Sequence, residues 1–226
     1  MSNVSQKERA TQDRVVALLT DEHKLGFQYL GDWTHRPDNR NIEEALLSKW
    51  LKKQGHDDSV ISKATHQLKQ AAALGENRKL YYANQDVYGL LRYGVKVTPA
   101  TGEKKQTVHL IDWKKPENND FAVAEEVSIK GQLKKRPDVV LYVNGIALAV
   151  LELKNSRSDI SKGIYQNLQN QRADFIRNFF STVQIVMAGN DSQGLRYGTI
   201  ETPAKYYLNW KEENPDFDAK LHDRSQ

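Results

Sequence analysis

The chain has 226 residues, 33 Lys and Arg against 29 Asp and Glu, and no cysteine. Its hydrophobic share of 38% and charged share of 27% suit a globular chain long enough to bury a core, not a disordered polyelectrolyte. The lack of cysteine excludes disulfides, thiolate zinc centres, iron–sulfur clusters and cysteine nucleophiles together. No apolar run approaches the roughly 18 residues of a membrane span, and the first residues carry no hydrophobic segment of a secretory signal. The expected compartment is therefore the cytoplasm, with no membrane partner. A net charge of +4 fits a nucleic-acid partner without demanding one, because local clustering matters more than the total.

Taken in chain order, Ser5 and Glu8 match an S-x-x-E capping box, which predicts the start of a helix carrying Val15, Val16, Leu18 and Leu19. Residues 26–40, punctuated by Gly, Pro, Asp and Asn, read as a loop. A second helix should hold Ile42, Leu46, Leu47, Trp50 and Leu51 on one side and stop at Gly55. A third begins near Asp58 and ends by Gly75, and a short fourth covers 86–92 before Gly94. Beyond it the period changes to that of strands at 95–98, 107–113 and 121–129. Residues 139–143 and 146–151 are continuous apolar runs around Asn144-Gly145, a hairpin signal, and should lie in a sheet covered on both faces. Asp159 or Ser161 then caps a helix with Ile164, Leu168, Phe175, Ile176 and Phe179 inward, followed by a buried strand at 183–188. The pattern predicts an α/β fold with a mixed sheet: a helical part over 1–94, a core over 95–210, and a polar tail over 211–226.

The chemistry gathers at the hairpin. Arg136-Pro137-Asp138 precedes its first strand and Glu152-Leu153-Lys154 ends its second, and carboxylates there are expensive unless compensated. Glu152 and Lys154 share one strand face. Asp138 joins them only if the turn has an odd length or a strand carries a bulge. A three-residue loop would pair Tyr142 with Ile146 and leave Asp138 diagonal to Glu152, roughly 7–8 Å away. Two carboxylates and the Leu153 carbonyl are hard oxygen ligands suited to Mg²⁺, with Mn²⁺ as substitute. Such a cation can activate water and neutralise a scissile phosphate, and Lys154 could orient the water. The basic run Lys130, Lys134, Lys135, Arg136 is placed for DNA phosphates.

With these residues in view, Pro137-Asp138 and Glu152-x-Lys154 resemble the PD-(D/E)xK nuclease signature. The stretches 135–138, 143–146 and 151–154 resemble the restriction (R) subunit of type I restriction–modification enzymes, and so do 163–168, 188–190, 196–199, 29–33 and 91–95. The resemblance runs from about Glu8 to Trp210. It implies a restriction-endonuclease-like fold that cuts double-stranded DNA with Mg²⁺, in a bacterial or archaeal assembly with methylation and specificity subunits. R subunits also carry an ATP-driven translocase with a G-x-x-x-x-G-K-[ST] loop. That loop is absent from these 226 residues, so ATP would act only through a motor outside them. The family's Q-x-x-x-Y on the helix after the second strand is here Gln166-x-x-x-Asn170. Gln166 takes the glutamine's role, positioning backbone or lysine, while the tyrosine is missing.

Glu8 could reach the site as a further acid and metal ligand, as in similar nucleases, or serve only its capping box. Glu125 and Glu126 read as solvent-facing or paired with nearby lysines. The six histidines show no metal-ligand spacing. Two other readings stand beside the nuclease: a catalytically silent DNA-binding or assembly module, and a stand-alone repair-type nuclease of the same fold.

Overall fold

A computed structural model describes residues 3–75, 77–100 and 102–211. The side chains of residues 3–7 and the expected tail over 212–226 lie outside the described residues. The helices are α1 Asn3–Thr20, α2 Glu44–Lys53, α3 Asp58–Ala72, α4 Leu80–Tyr93 and α5 Ser161–Asn170. The strands are β1 Gln28–Asp32, β2 Val95–Val97, β3 Gln106–Val108, β4 Phe121–Glu125, β5 Val139–Val143, β6 Ile146–Leu153, β7 Ile185–Asn190, β8 Gly194–Gly198 and β9 Leu208–Asn209.

The main sheet has the order β1-β4-β5-β6-β7-β8-β9. β1 is parallel to β4 and β6 to β7, and the other neighbours are antiparallel. α5 makes the crossover between β6 and β7. This is the mixed, helix-flanked sheet the sequence predicts, consistent with a restriction-endonuclease-like fold. As the double apolar runs require, the central strands are covered on both sides. Val140, Tyr142, Ala147 and Val150 face Ile164 of α5 together with Ile176, Phe179 and Phe180. Val139, Leu141, Ala149 and Leu151 face Val15, Val16 and Leu19 of α1. A separate cluster joins α2, α3 and α4 to the small β2–β3 sheet.

Several local expectations need correction. Helix α1 already runs from Asn3, so Ser5 is inside it and the capping box does not open it. The expected loop over 26–40 contains β1, an edge strand whose residues are all partly or fully exposed. With so little of it buried, it leaves no apolar alternation to read. Helix α4 extends two turns earlier than expected, to Leu80; Tyr81, Tyr82 and Tyr88 are exposed and blur its apolar stripe. The strands expected at 107–113 and 121–129 stop at Val108 and Glu125. Helix α5 ends at Asn170, and Ile176 and Phe179 reach the core from a later turn containing a short 3-10 segment.

The hairpin positions the acids singled out in the sequence. Asn144 and Gly145 both have positive φ, +53° and +82°, and close a two-residue turn with Val143 opposite Ile146. Asn144 is fully buried, donating through Nδ2 to Leu110 O at 2.9 Å and accepting at Oδ1 from Asp120 N at 2.8 Å. A side chain on Gly145 would press on the backbone N of Leu47 at 2.7 Å. Of the two turns the sequence leaves open, the chain takes the two-residue one. The odd residue is instead a bulge: Tyr142 pairs with Ala147 and Leu141 with Ala149, leaving Leu148 without a partner.

Candidate active site

The bulge sets the register beyond it. Val139 lies opposite Leu151, so Asp138, one residue before β5, comes opposite Glu152. The two acids thus face each other directly rather than diagonally. Both point to the α5 side, the face of Val140 and Val150. The Leu153 amide donates to Asp138 Oδ2 at 2.7 Å, which fixes the aspartate against the end of β6.

Glu152 is fully buried. Gln166 Nε2 donates to its Oε2, and Asn170 Nδ2 donates to its Oε1 at 3.2 Å. One turn of α5 therefore clamps both carboxylate oxygens, because positions i and i+4 share a helix face. Gln166 holds the acid rather than the lysine, and Asn170, standing where the resembling family has tyrosine, supplies the second arm. Gly163 lets α5 approach this closely: a Cβ there would come within 3.1 Å of Ala188 Cβ and 3.5 Å of Glu152 O.

Lys154 is largely buried on the same face. Its Nζ lies 3.2 Å from Glu8 Oε1, 3.9 Å from Asp138 Oδ2 and 3.0 Å from Leu153 O. Glu8, near the start of α1, therefore reaches the site through Lys154. Burial pushes the Asp138 carboxyl up, opposed by Lys154 and the Leu153 amide. Burial, reinforced by Asp138, pushes Glu152 well above the usual carboxylate range. Burial alone would lower the Lys154 pKa, but Asp138, Glu152 and Glu8 outweigh it and hold the ammonium charged. The pair of acids is thus short of positive charge even with Lys154 beside it.

Among the described residues no three His, Cys, Asp or Glu side chains converge as a metal centre. The donor set nevertheless fits a hard divalent cation, with Asp138, Glu152 and the Leu153 carbonyl as oxygen ligands. A cation there would offset the burial that raises both carboxyls.

A second polar cluster was not legible in the sequence. Glu125 is buried rather than solvent-facing, accepting from Gln12 Nε2 at 2.8 Å and from the Tyr29 hydroxyl, with Arg9 at 3.1 Å. Its bond to Glu125 follows burial in raising the Tyr29 phenol, to about 12. Glu126 pairs with Arg136 at 2.6 Å. The partners of both glutamates are thus arginines, not the expected lysines. Gln12 Nε2 also reaches the Asp138 carbonyl at 3.3 Å, so α1 braces the backbone at Asp138. Glu125→Ala should remove the buried acceptor shared by Gln12, Tyr29 and Arg9 and lower stability by about 2–3 kcal/mol, read from the midpoint of urea unfolding.

The basic run divides. Arg136 is taken up by Glu126; Lys130 and Lys134 are exposed, Lys130 within 3.9 Å of Asp38. Lys135 packs its Nζ 4.4 Å from the centre of the Phe175 ring. No helix among the described residues is long and apolar enough to cross a membrane.

Comparison with known proteins identifies relatives of the chain. Residues 5–205 match the family described as "Type I restriction enzyme R protein N terminus". The chain is 29% identical over 161 residues to the type I restriction enzyme HindI endonuclease subunit of Haemophilus influenzae, covering 68% of this chain and 14% of that protein. It is 27% identical over 182 residues to the putative type I restriction enzyme MjaVIIIP endonuclease subunit of Methanocaldococcus jannaschii, covering 76% of this chain and 17% of that protein. A further M. jannaschii relative, the putative MjaVIIP endonuclease subunit, is 32% identical over 127 residues, 55% of this chain and 11% of that protein. The matches thus span well under a quarter of these relatives' lengths. With a match that runs from within α1 through the hairpin and α5 to beyond β8, the chain belongs to the type I restriction enzyme R protein N-terminal family.

Proposed function

We propose that this chain is the Mg²⁺-dependent endonuclease domain of a type I restriction R subunit, hydrolysing phosphodiester bonds of double-stranded DNA. The observation that carries the reading is the β-bulge at Leu148, which brings Asp138 opposite Glu152 with Lys154 on the same face. Asp138, Glu152 and the Leu153 carbonyl would hold the cation, which supplies charge neutralisation at the scissile phosphate and a more acidic bound water. Lys154, kept cationic by three surrounding carboxylates, orients the attacking water and offsets charge growing on the phosphate oxygens. An ammonium so held is a donor, not a base. Gln166 and Asn170 keep Glu152 aimed, and the Gln12 contact keeps the Asp138 backbone in place.

The remaining R-subunit regions would bring the ATP-driven motor, and methylation and specificity subunits would complete the assembly and choose the DNA site. The small share of each relative that matches supports a part of a larger enzyme over a stand-alone repair nuclease. The test is metal withdrawal from the reassembled enzyme acting on its plasmid substrate. EDTA should end cleavage, and Mg²⁺ or Mn²⁺ should restore it. Cleavage that persists in EDTA would overturn the mechanism. Salt-sensitive duplex binding that ignores substitution of Asp138 and Glu152, with no cleavage, would favour the silent assembly module.

A further inference from the structure

The outer face of α5 borders a cleft of about 850 Å³ whose lining includes Lys135, Lys162, Tyr165, Gln166, Gln169 and Arg172. It contains three cations and no acid among its lining residues. Residues 162, 165, 166 and 169 fall on one helical stripe of about two turns, roughly 10 Å long. Gln166 is the member of that stripe that turns inward to Glu152, so the stripe passes directly over the clamp on the buried acid. Lys162 has no ion pair among the described residues, and Arg172 meets only the exposed Asp174, at 3.4 Å. The contact of Lys135 with the Phe175 ring brings a third cation to the same cleft. Past Arg172, an adjoining cleft of about 420 Å³ includes Asp174 and Glu201 in its lining, which ends the purely basic path there.

Tyr165 stands between these cations with 61% of its surface exposed. It has no hydrogen bond or ring partner among the described residues. Single exposed tyrosines are common and need no explanation. Here, however, the ring is carried by a packed helix, flanked by basic side chains of which Lys162 has no ion pair among the described residues, one position from the residue that holds the metal-binding glutamate. Cations that track a backbone together with an aromatic face are the elements of a single-strand platform. Duplex DNA offers phosphates to such a surface but no free base face.

We propose that the α5 cleft binds a short unpaired stretch of the DNA strand to be cut. Lys135, Lys162 and Arg172 contact its phosphates and Tyr165 stacks on one base. The substrate of this site is then DNA locally opened next to the scissile bond. The inference rests on the nuclease reading and adds the form of the substrate and the residues that hold it.

The experiment is fluorescence anisotropy on the 226-residue chain in EDTA, where no cleavage occurs, with a mixed-sequence 12-nucleotide single strand and a duplex hairpin of equal phosphate count. Tyr165→Ala should weaken single-strand binding about tenfold and leave duplex binding within twofold. Tyr165→Phe, which keeps the ring, should retain single-strand affinity. Lys162→Ala and Arg172→Ala should each reduce the salt dependence of single-strand binding by about 0.7 of a logarithmic slope. Circular dichroism of each variant verifies folding. Equal loss for both nucleic acids in Tyr165→Ala, no loss for either, or no binding of the single strand by the wild type would overturn the proposal. Because the readout involves no chemistry, cleavage by the reassembled enzyme with unchanged Tyr165→Ala binding removes the platform and leaves the nuclease reading. Mn²⁺ binding undiminished by Asp138→Ala, with the single-strand pattern as expected, removes the nuclease reading and leaves the platform.

Discussion

Lys154→Ala is expected to lower DNA cleavage by the reassembled enzyme about 10³-fold, while circular dichroism shows the fold retained. The side chain is the only cation within 4 Å of Asp138 among the described residues, and it is held charged by three carboxylates. Removing one preorganised donor from a site where charge develops costs roughly 10²–10³ in rate. Here the loss should fall at the upper end, since the same ammonium also offsets two buried acids. The fold should survive because Asp138 and Glu152, relieved of Lys154, can each take up a proton more readily. Lys154→Arg should recover little, since the planar, longer guanidinium does not fit a site shaped by Glu8, Asp138 and the Leu153 carbonyl. Cleavage by Lys154→Ala at the wild-type rate would remove the lysine from the mechanism.

Asn170→Ala should weaken Mn²⁺ binding and cleavage together, by about 10- to 100-fold, the usual effect of losing a side chain that orients a metal ligand. The structural basis is the two-armed clamp: Gln166 on one oxygen of Glu152 and Asn170 on the other. A purely structural role would show as a lower unfolding midpoint with unchanged Mn²⁺ affinity, so the two are separated by calorimetry alongside urea unfolding. Gln166→Ala should have a similar effect, and the double variant should fall short of the sum because both arms hold the same carboxylate.

What the sequence revealed and concealed follows from how local each signal is. The apolar runs on either side of Asn144-Gly145, and the spacing of Asp138, Glu152 and Lys154, are properties of one short segment, and the hairpin and its acids were legible there. Counting residues even showed that an extra residue was needed. It could not show that the residue is Leu148, because a leucine in a bulge looks like its neighbours in an apolar strand. Glu125 was hidden because its partners Gln12, Tyr29 and Arg9 come from α1 and β1, about a hundred positions away. The edge strands β1 and β9, and β8 beside β9, bury too little to impose a pattern. Asn170 read as a departure from the family's tyrosine until its amide was seen on Glu152. Tyr165 likewise lacked meaning until the helix placed it among Lys162, Arg172 and Lys135, which are not adjacent in the chain.

The central claim is that Asp138 and Glu152 form one cation site. Mn²⁺ titration by calorimetry on the wild-type chain and on Asp138→Ala tests it most directly, with circular dichroism confirming that both are folded. The account predicts binding by the wild type and its loss in Asp138→Ala. Undiminished Mn²⁺ binding by folded Asp138→Ala would contradict it, since the cation would then be held elsewhere.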